Sequence, residues 1–271
     1  MIKITALYVY PIKSLKGIAL QQADISETGI AYDRFWMLVD ENGDFLSQRE
    51  HAILALFKVS MQSDSFTVSF DEKSINIPKT LTTKNIKECE LWEEKLNGYT
   101  ESDEINNWFS NILKIKVFLV RNSEQPKRAT KESNETYVNF TDSQQYLIIG
   151  QSSMDNLNGK LEQPINVDRF RPNIVFSTSS AHVEDTWNEI QIGASTFTQV
   201  KPCGRCNVIT INQETAIAGK EPLKTLAKYR FKDNNVYFGQ YLKLTESSNK
   251  LLQVGDQLTV LSTKPPSPFM K

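Results

Sequence analysis

Histidine and cysteine are scarce in this chain. Two histidines, His51 and His182, and three cysteines, Cys89, Cys203 and Cys206, are spread over 271 residues. Three is an odd and small number, which excludes a disulfide scaffold and points to a reducing compartment, with a cytoplasmic location as the expectation. Neither histidine has a second histidine or a cysteine at ligand spacing, and both read as surface or structural residues. Long apolar runs are missing as well. None approaches the roughly 18 residues of a membrane-spanning helix, and MIKITALYVYPIKS lacks the apolar stretch and cleavage site of a secretory signal. Charge of one sign is not in excess either. Thirty-one basic and thirty-two acidic residues leave a net charge of -1, so no general field draws the chain to nucleic acid or an anionic membrane. A local basic pocket is still compatible with that balance. There is no G-x-G-x-x-G, no Walker loop and no G-x-S-x-G elbow, so nucleotide binding and a serine triad lack sequence support.

What the chain does contain is short alternating segments separated by turn residues, a pattern that predicts a mainly β (α+β) barrel or sandwich. ITALYVYPI stops at Pro11, and residues 18–25 follow as one strand after Gly17. Residues 34–39 form a third strand, and Asn42-Gly43 marks a hairpin. DFLSQRE, HAILALFKVSM, DSFTVSFD and SINIPK read as further short strands. ESDEINNWFSNIL predicts a helix, with Ser102 as its cap and Ile105, Trp108, Phe109 and Ile112 on one face. KIKVFLVR is then a strand, and the polar residues 122–136, with Pro126, read as a mobile loop. SSMDNLNGKL and KEPLKTLAKYR predict short helices. IVFS, EIQIG, TFTQVK, NVITIN, YLKL and QLTVL predict strands. The tail SPFMK is expected to fray.

Four stretches carry chemistry. KPCGRC places two thiols three positions apart, outside the helical context of a redox C-x-x-C. Lys201 and Arg205 adjoin them, and nearby positive charge favours the thiolate, the form that attacks or binds a soft metal. In a strand the two thiols face opposite ways; in a turn they converge. The same residues equally suit two inert, half-buried cysteines. RFRPNIVF sets Arg169 and Arg171 at the mouth of a strand, where guanidinium forks suit phosphate. PIKS offers the Lys13 ammonium and the Ser14 hydroxyl beside free backbone N–H groups. Arg34 enters an apolar strand and needs a partner or an anion. Jointly these describe a basic site for a phosphate-bearing cofactor with a thiolate close by.

The order YPIKSLKG, ETGIAYDRFWMLVD, GDFLSQRE, LWEEKLNGY, NFTDSQQYLII, VDRFRPNIVF, KPCGRCNVITIN, EPLKTLAKYR, YFGQYL, VGDQLTVL resembles the MOSC family, the molybdenum cofactor sulfurase C-terminal-like proteins. The closer likeness is to the branch with an N-terminal β-barrel domain, which includes the mitochondrial amidoxime-reducing component and its bacterial relatives. The resemblance implies a β-barrel MOSC core with an N-terminal β-barrel-like domain and a few peripheral helices. The domains would span 1–121 and 122–263, with a tail at 264–271. It also implies a molybdenum cofactor, Mo-molybdopterin, with Cys206 as the metal ligand and catalytic residue, and Cys203 behind it rather than on the metal. Gly204 and Arg205 would line the cofactor. Lys13, Ser14, Arg34, Arg171 and Asn173 would hold the pterin and its phosphate. Asp142 and Ser143 match another cofactor-contacting loop, where Gln144-Gln145 replace a more apolar, proline-bearing pair. The activity implied is reduction of N-hydroxylated compounds to amines, with electrons from a separate ferredoxin or reductase and no nucleic-acid or membrane partner. A molybdenum cofactor or sulfur carrier using Cys206 is the alternative, and a structural protein with a vestigial site is a third.

Overall fold

A computed structural model describes residues 1–123 and 127–265. Seven strands close into a barrel. In order around it they are Tyr146–Gly150, Ile174–Ser177, Ile2–Val9, Gln257–Thr263, Trp187–Ile192, Ser195–Arg205 and Asn235–Ser247, and the last pairs back to the first. Only Tyr146–Gly150 and Ile174–Ser177 run parallel. That geometry needs a crossover, which is supplied by helix Gln151–Asn158. Both parallel strands are covered on two faces and correspondingly apolar throughout. The barrel encloses Leu7, Ile148, Ile174, Phe176, Phe197 and Leu242. Strand Ile2–Val9, from the chain's start, sits inside this barrel between Ile174–Ser177 and Gln257–Thr263.

Beside it lies a four-stranded half-barrel, ordered Trp36–Asp40, Val117–Asn122, Glu94–Thr100, Ile86–Leu91, and a three-stranded meander, Lys58–Met61, Ser65–Phe70, Lys73–Pro78. Helix Asp103–Leu113 covers them, its Ile105 and Phe109 packed with Trp36, Phe57 and Phe66. Ser102 caps it, accepting from the Ile105 amide at 3.4 Å. A third short helix, Leu223–Ala227, packs Leu226 against Phe238. No helix among the described residues is long and apolar enough to cross a membrane.

The mainly β architecture agrees with the alternating pattern, and several segments differ from expectation. NVITIN is not a strand: Asn207–Thr210 is a 3-10 turn, closed by the Thr210 hydroxyl donating to the Asn207 carbonyl at 2.7 Å. HAILALFKVSM splits into a 3-10 turn, Ala52–Leu56, and a strand, Lys58–Met61. DFLSQRE makes only isolated bridges at Asp44 and Phe45. Residues 18–25 divide into two strands with different partners, Ile18–Leu20 and Gln22–Ser26. The hairpin of Ile86–Leu91 and Glu94–Thr100 had no prediction. Within 122–136 a small hairpin forms from Ala129–Thr130 and Ser133–Tyr137. Pro126 and the SPFMK tail lie outside the described residues.

Candidate functional site

Loops from both halves of the molecule meet at one end of the barrel and enclose a cavity of 670 Å³. Every residue singled out from the sequence lines it: Lys13, Ser14, Arg34, Asp142, Ser143, Arg171, Asn173, Gly204, Arg205 and Cys206, with Cys203 and Arg169 beside them. The basic stretches, far apart in the chain, thus share one wall. Nine basic side chains face two acidic ones, Glu132 and Asp142, so the balanced net charge of the chain conceals a cationic pocket.

Each cradle residue is placed by a chain turn. Lys13 and Ser14 follow the end of strand Ile2–Val9; the Lys13 amide donates to the Trp36 carbonyl at 2.7 Å and the Ser14 hydroxyl to the Leu46 carbonyl at 3.1 Å. Arg34 does not begin the third strand, which starts at Trp36. It stands in the preceding turn, and Asp33 holds its guanidinium. Ser14, Arg34 and Arg171 all have left-handed backbones, with φ of 71°, 49° and 55°. Non-glycine residues seldom adopt that conformation, and it concentrates at functional sites. Asn173 ties the loops: its side-chain amide donates to the Tyr8 carbonyl at 3.3 Å, and its oxygen accepts from the Leu147 amide at 3.2 Å.

The Lys13 ammonium is almost fully buried. It donates to the Phe140 carbonyl at 3.0 Å and pairs with Asp142. Burial lowers the Lys13 pKa; for Asp142 burial works the other way, but Lys13 prevails and keeps the carboxyl well below its usual range. The Asp142 carboxyl is therefore charged at neutral pH. Arg171 has no carboxylate partner among the described residues. Burial first, then the neighbouring Arg34, brings its pKa down to about 10.

The two cysteines of KPCGRC part company. Strand Ser195–Arg205 runs extended through Cys203, and Cys206 lies just past its end, before the 3-10 turn. Cys203 and Cys89 are buried, and Cys206 is exposed. Burial pushes the Cys203 thiol up. Lys201 is engaged by Glu132 rather than by a thiol. Arg205 donates to the Phe238 and Phe170 carbonyls at 2.9 and 3.0 Å, while its Nη2 is buried without a partner among the described residues.

Sequence reasoning missed Trp92, Glu132 and Tyr241 in this wall. Trp92 sits in a turn with φ of 54°, and its indole donates to Asp142 at 3.1 Å. Nothing in LWEEK signals such a turn. A second cavity of 790 Å³, rich in carboxylates, shares Phe45, Arg49 and Trp92 with the first but contains no cysteine.

The donor set fits an anionic organic cofactor better than a bare ion. Among the described residues no three His, Cys, Asp or Glu side chains gather to hold a metal. One exposed sulfur suits a metal whose other ligands come with the cofactor. The buried cations and the orphan Arg205 nitrogen suit phosphate and polar ring edges.

Comparison with known proteins accords with this geometry. The profile of the MOSC N-terminal beta barrel domain matches residues 1–116, and that of the MOSC domain matches residues 135–259. Mitochondrial amidoxime-reducing component 1 of Mus musculus is 30% identical over 95% of this chain and 82% of its own. Mitochondrial amidoxime reducing component 2 of Rattus norvegicus is 31% identical over 93% of this chain and 81% of its own. Molybdenum cofactor sulfurase of Oryza sativa subsp. japonica is 28% identical over 95% of this chain, which spans 35% of that protein. This chain belongs to the MOSC family, with an N-terminal MOSC β-barrel domain preceding the MOSC domain.

Proposed function

We propose that the protein is a molybdenum-cofactor-dependent oxidoreductase that reduces N-hydroxylated compounds, such as hydroxylamines and N-hydroxylated base analogues, to amines. One observation carries the reading: the exposed cysteine, Cys206, stands on the wall of the same cavity as Lys13, Arg34 and Arg171. When bound, the cofactor would supply two-electron chemistry at a metal. The net change is R–NHOH + 2e⁻ + 2H⁺ → R–NH₂ + H₂O.

The chain's own residues bind and orient. Cys206 would give its thiolate to the metal, and Lys13, Arg34 and Arg171 would neutralise the pterin phosphate. The unpartnered Arg205 Nη2 offers a further donor, and Asp142, Ser143 and Asn173 line the same enclosure. Leu147, Phe170 and Ile209 contribute apolar wall that excludes water. The Tyr241 hydroxyl, raised well above 10 mainly by burial, keeps its proton at the cavity surface. Electrons would come from a separate ferredoxin or reductase.

The match to molybdenum cofactor sulfurases over 95% of the chain favours a second reading. In it, Cys206 carries the cofactor or a sulfur atom for delivery, without turnover. Metal analysis of protein made in a cofactor-competent host tests both. Stoichiometric molybdenum, lost in Cys206→Ala, together with hydroxylamine reduction by an artificial reductant, is expected. Bound molybdenum without turnover would select the carrier. Equal molybdenum in Cys206→Ala would overturn the assignment of the sulfur as ligand.

A further inference from the structure

We propose that Tyr10, which lines neither of the two cavities described above, is the positioning residue of the anion cradle, fixing both arginines through one aromatic ring; this rests on reading the cavity as a site for an anionic cofactor. The two guanidiniums leave the chain from strained, left-handed turns, where no regular structure dictates their direction. Tyr10 contacts both. Its ring centroid lies 4.2 Å from Arg34 Cζ and 4.4 Å from Arg171 Cζ. Its hydroxyl donates to the carbonyl of Pro172, the residue after Arg171, at 3.1 Å. Its carbonyl accepts from the Arg34 amide at 2.7 Å, and its amide donates to Asp33 Oδ1 at 2.9 Å, so the carboxylate that holds Arg34 is itself held by Tyr10. The ring is confined at its edge by Gly17, where a Cβ would fall 2.5 Å from Tyr10 Cε1.

The choice of an aromatic ring has a physical reason. A second carboxylate between the two guanidiniums, beyond the Asp33 that already pairs with Arg34, would fix them but cancel the remaining charge that the ligand needs. A ring face attracts each cation through its quadrupole and adds no net charge. The cradle therefore keeps its geometry and stays cationic until an anion arrives. Tyr10 is 2% exposed, so it acts on a ligand only through the arginines.

Calorimetric titration of cofactor-free protein with inorganic pyrophosphate tests this, with thermal unfolding as the fold control. Tyr10→Phe keeps the ring and is expected to bind within about two-fold of wild type; Tyr10→Leu is expected to weaken binding roughly ten-fold or more. Wild-type affinity in folded Tyr10→Leu, or equal losses in both variants, would overturn the proposal. If Tyr10→Leu does not fold, 3,4,5-trifluorophenylalanine at position 10 keeps the shape and weakens the quadrupole. Its affinity should drop below that of Tyr10→Phe, and equality would refute the ring's role. A wild-type protein that binds no pyrophosphate would sink the reading of the cavity itself. Loss confined to Tyr10→Leu leaves that reading intact.

Discussion

Replacing Arg171 by Gln should weaken ligand binding while leaving stability nearly unchanged. In the cofactor-free protein the Arg171 charge is held at a cost: burial and the adjacent Arg34 lower its pKa to about 10. A base with a folded pKa below its unfolded value destabilises the fold at every pH below both. At pH 7 the whole penalty is present, and it is relieved only as pH rises from about 10 towards the ordinary arginine value. Neutralising the residue removes that penalty, on the order of 1–3 kcal/mol once solvent access is allowed for. Against this, the shorter side chain loses the bond from Arg171 Nη1 to the Leu15 carbonyl, 2.7 Å long, a loss of about 1–2 kcal/mol. The two effects nearly cancel, and the melting temperature should change by no more than about 2–4 °C.

Binding of a phosphate-bearing ligand has no such compensation. A charge-assisted hydrogen bond contributes about 1.5–3 kcal/mol, so Arg171→Gln should weaken inorganic pyrophosphate binding roughly 10- to 150-fold at low salt. The assay is calorimetric titration of the cofactor-free protein alongside thermal denaturation at pH 7. Unchanged affinity would show that Arg171 does not face the ligand. A large fall in melting temperature accompanying the lost affinity would show a structural residue and refute the reasoning.

Alkylation of the native protein with iodoacetamide should label Cys206 first and spare Cys89 and Cys203, which are buried; peptide mapping showing Cys203 labelled as fast would contradict the described strand. Gln144→Leu should loosen the hairpin of Ala129–Thr130 and Ser133–Tyr137, because the buried Gln144 amide donates to Glu132 at 2.5 Å and Glu132 also holds Lys201. Amide exchange in residues 129–137 should quicken by roughly ten-fold or more, and unchanged exchange would mean the hairpin is held by other contacts, such as the bond from Gln145 to the Tyr137 carbonyl.

The elements read correctly from sequence are those whose local signals agree with their tertiary surroundings. Helix Asp103–Leu113 has a serine cap, acidic residues in its first turn and apolar positions at helical spacing, and all of these are used. NVITIN alternates like a strand but caps the end of one. Its Val208 and Ile209 face the cavity while the backbone turns back on itself, and periodicity does not register that reversal. HAILAL is apolar enough for either a strand or a helical turn, and its six residues are too few to decide. The hairpin turn at Trp92-Glu93 escaped notice because both residues hold positive φ, at 54° and 68°, without the glycine or asparagine that announces such a turn. Lys13, Arg34 and Arg171 were legible as cations and as positions resembling a family pattern. Their convergence was expected from the joint reading and the resemblance, but periodicity and spacing do not give its cause, which is strand Ile2–Val9 closing a barrel whose other strands all begin after residue 145.

That closure also explains how the cavity tolerates its own cost. Ser14, Arg34 and Arg171 occupy left-handed conformations that cost about 1–3 kcal/mol each, and Arg171 is a buried cation with no carboxylate partner among the described residues. Such turns would relax if they joined mobile elements. Here each is anchored by its neighbours: Ser14 by its hydroxyl on the Leu46 carbonyl, Arg34 by its amide on the Tyr10 carbonyl, and Arg171 by the packing of Phe170 and Ile174. The scaffold is rigid where the loops leave it, so the strain is carried by the barrel as a whole rather than released locally. A ligand dianion would supply the counter-charge that the folded chain withholds. The same residues that destabilise the cofactor-free protein would then stabilise the loaded one, by an amount that grows with ligand concentration.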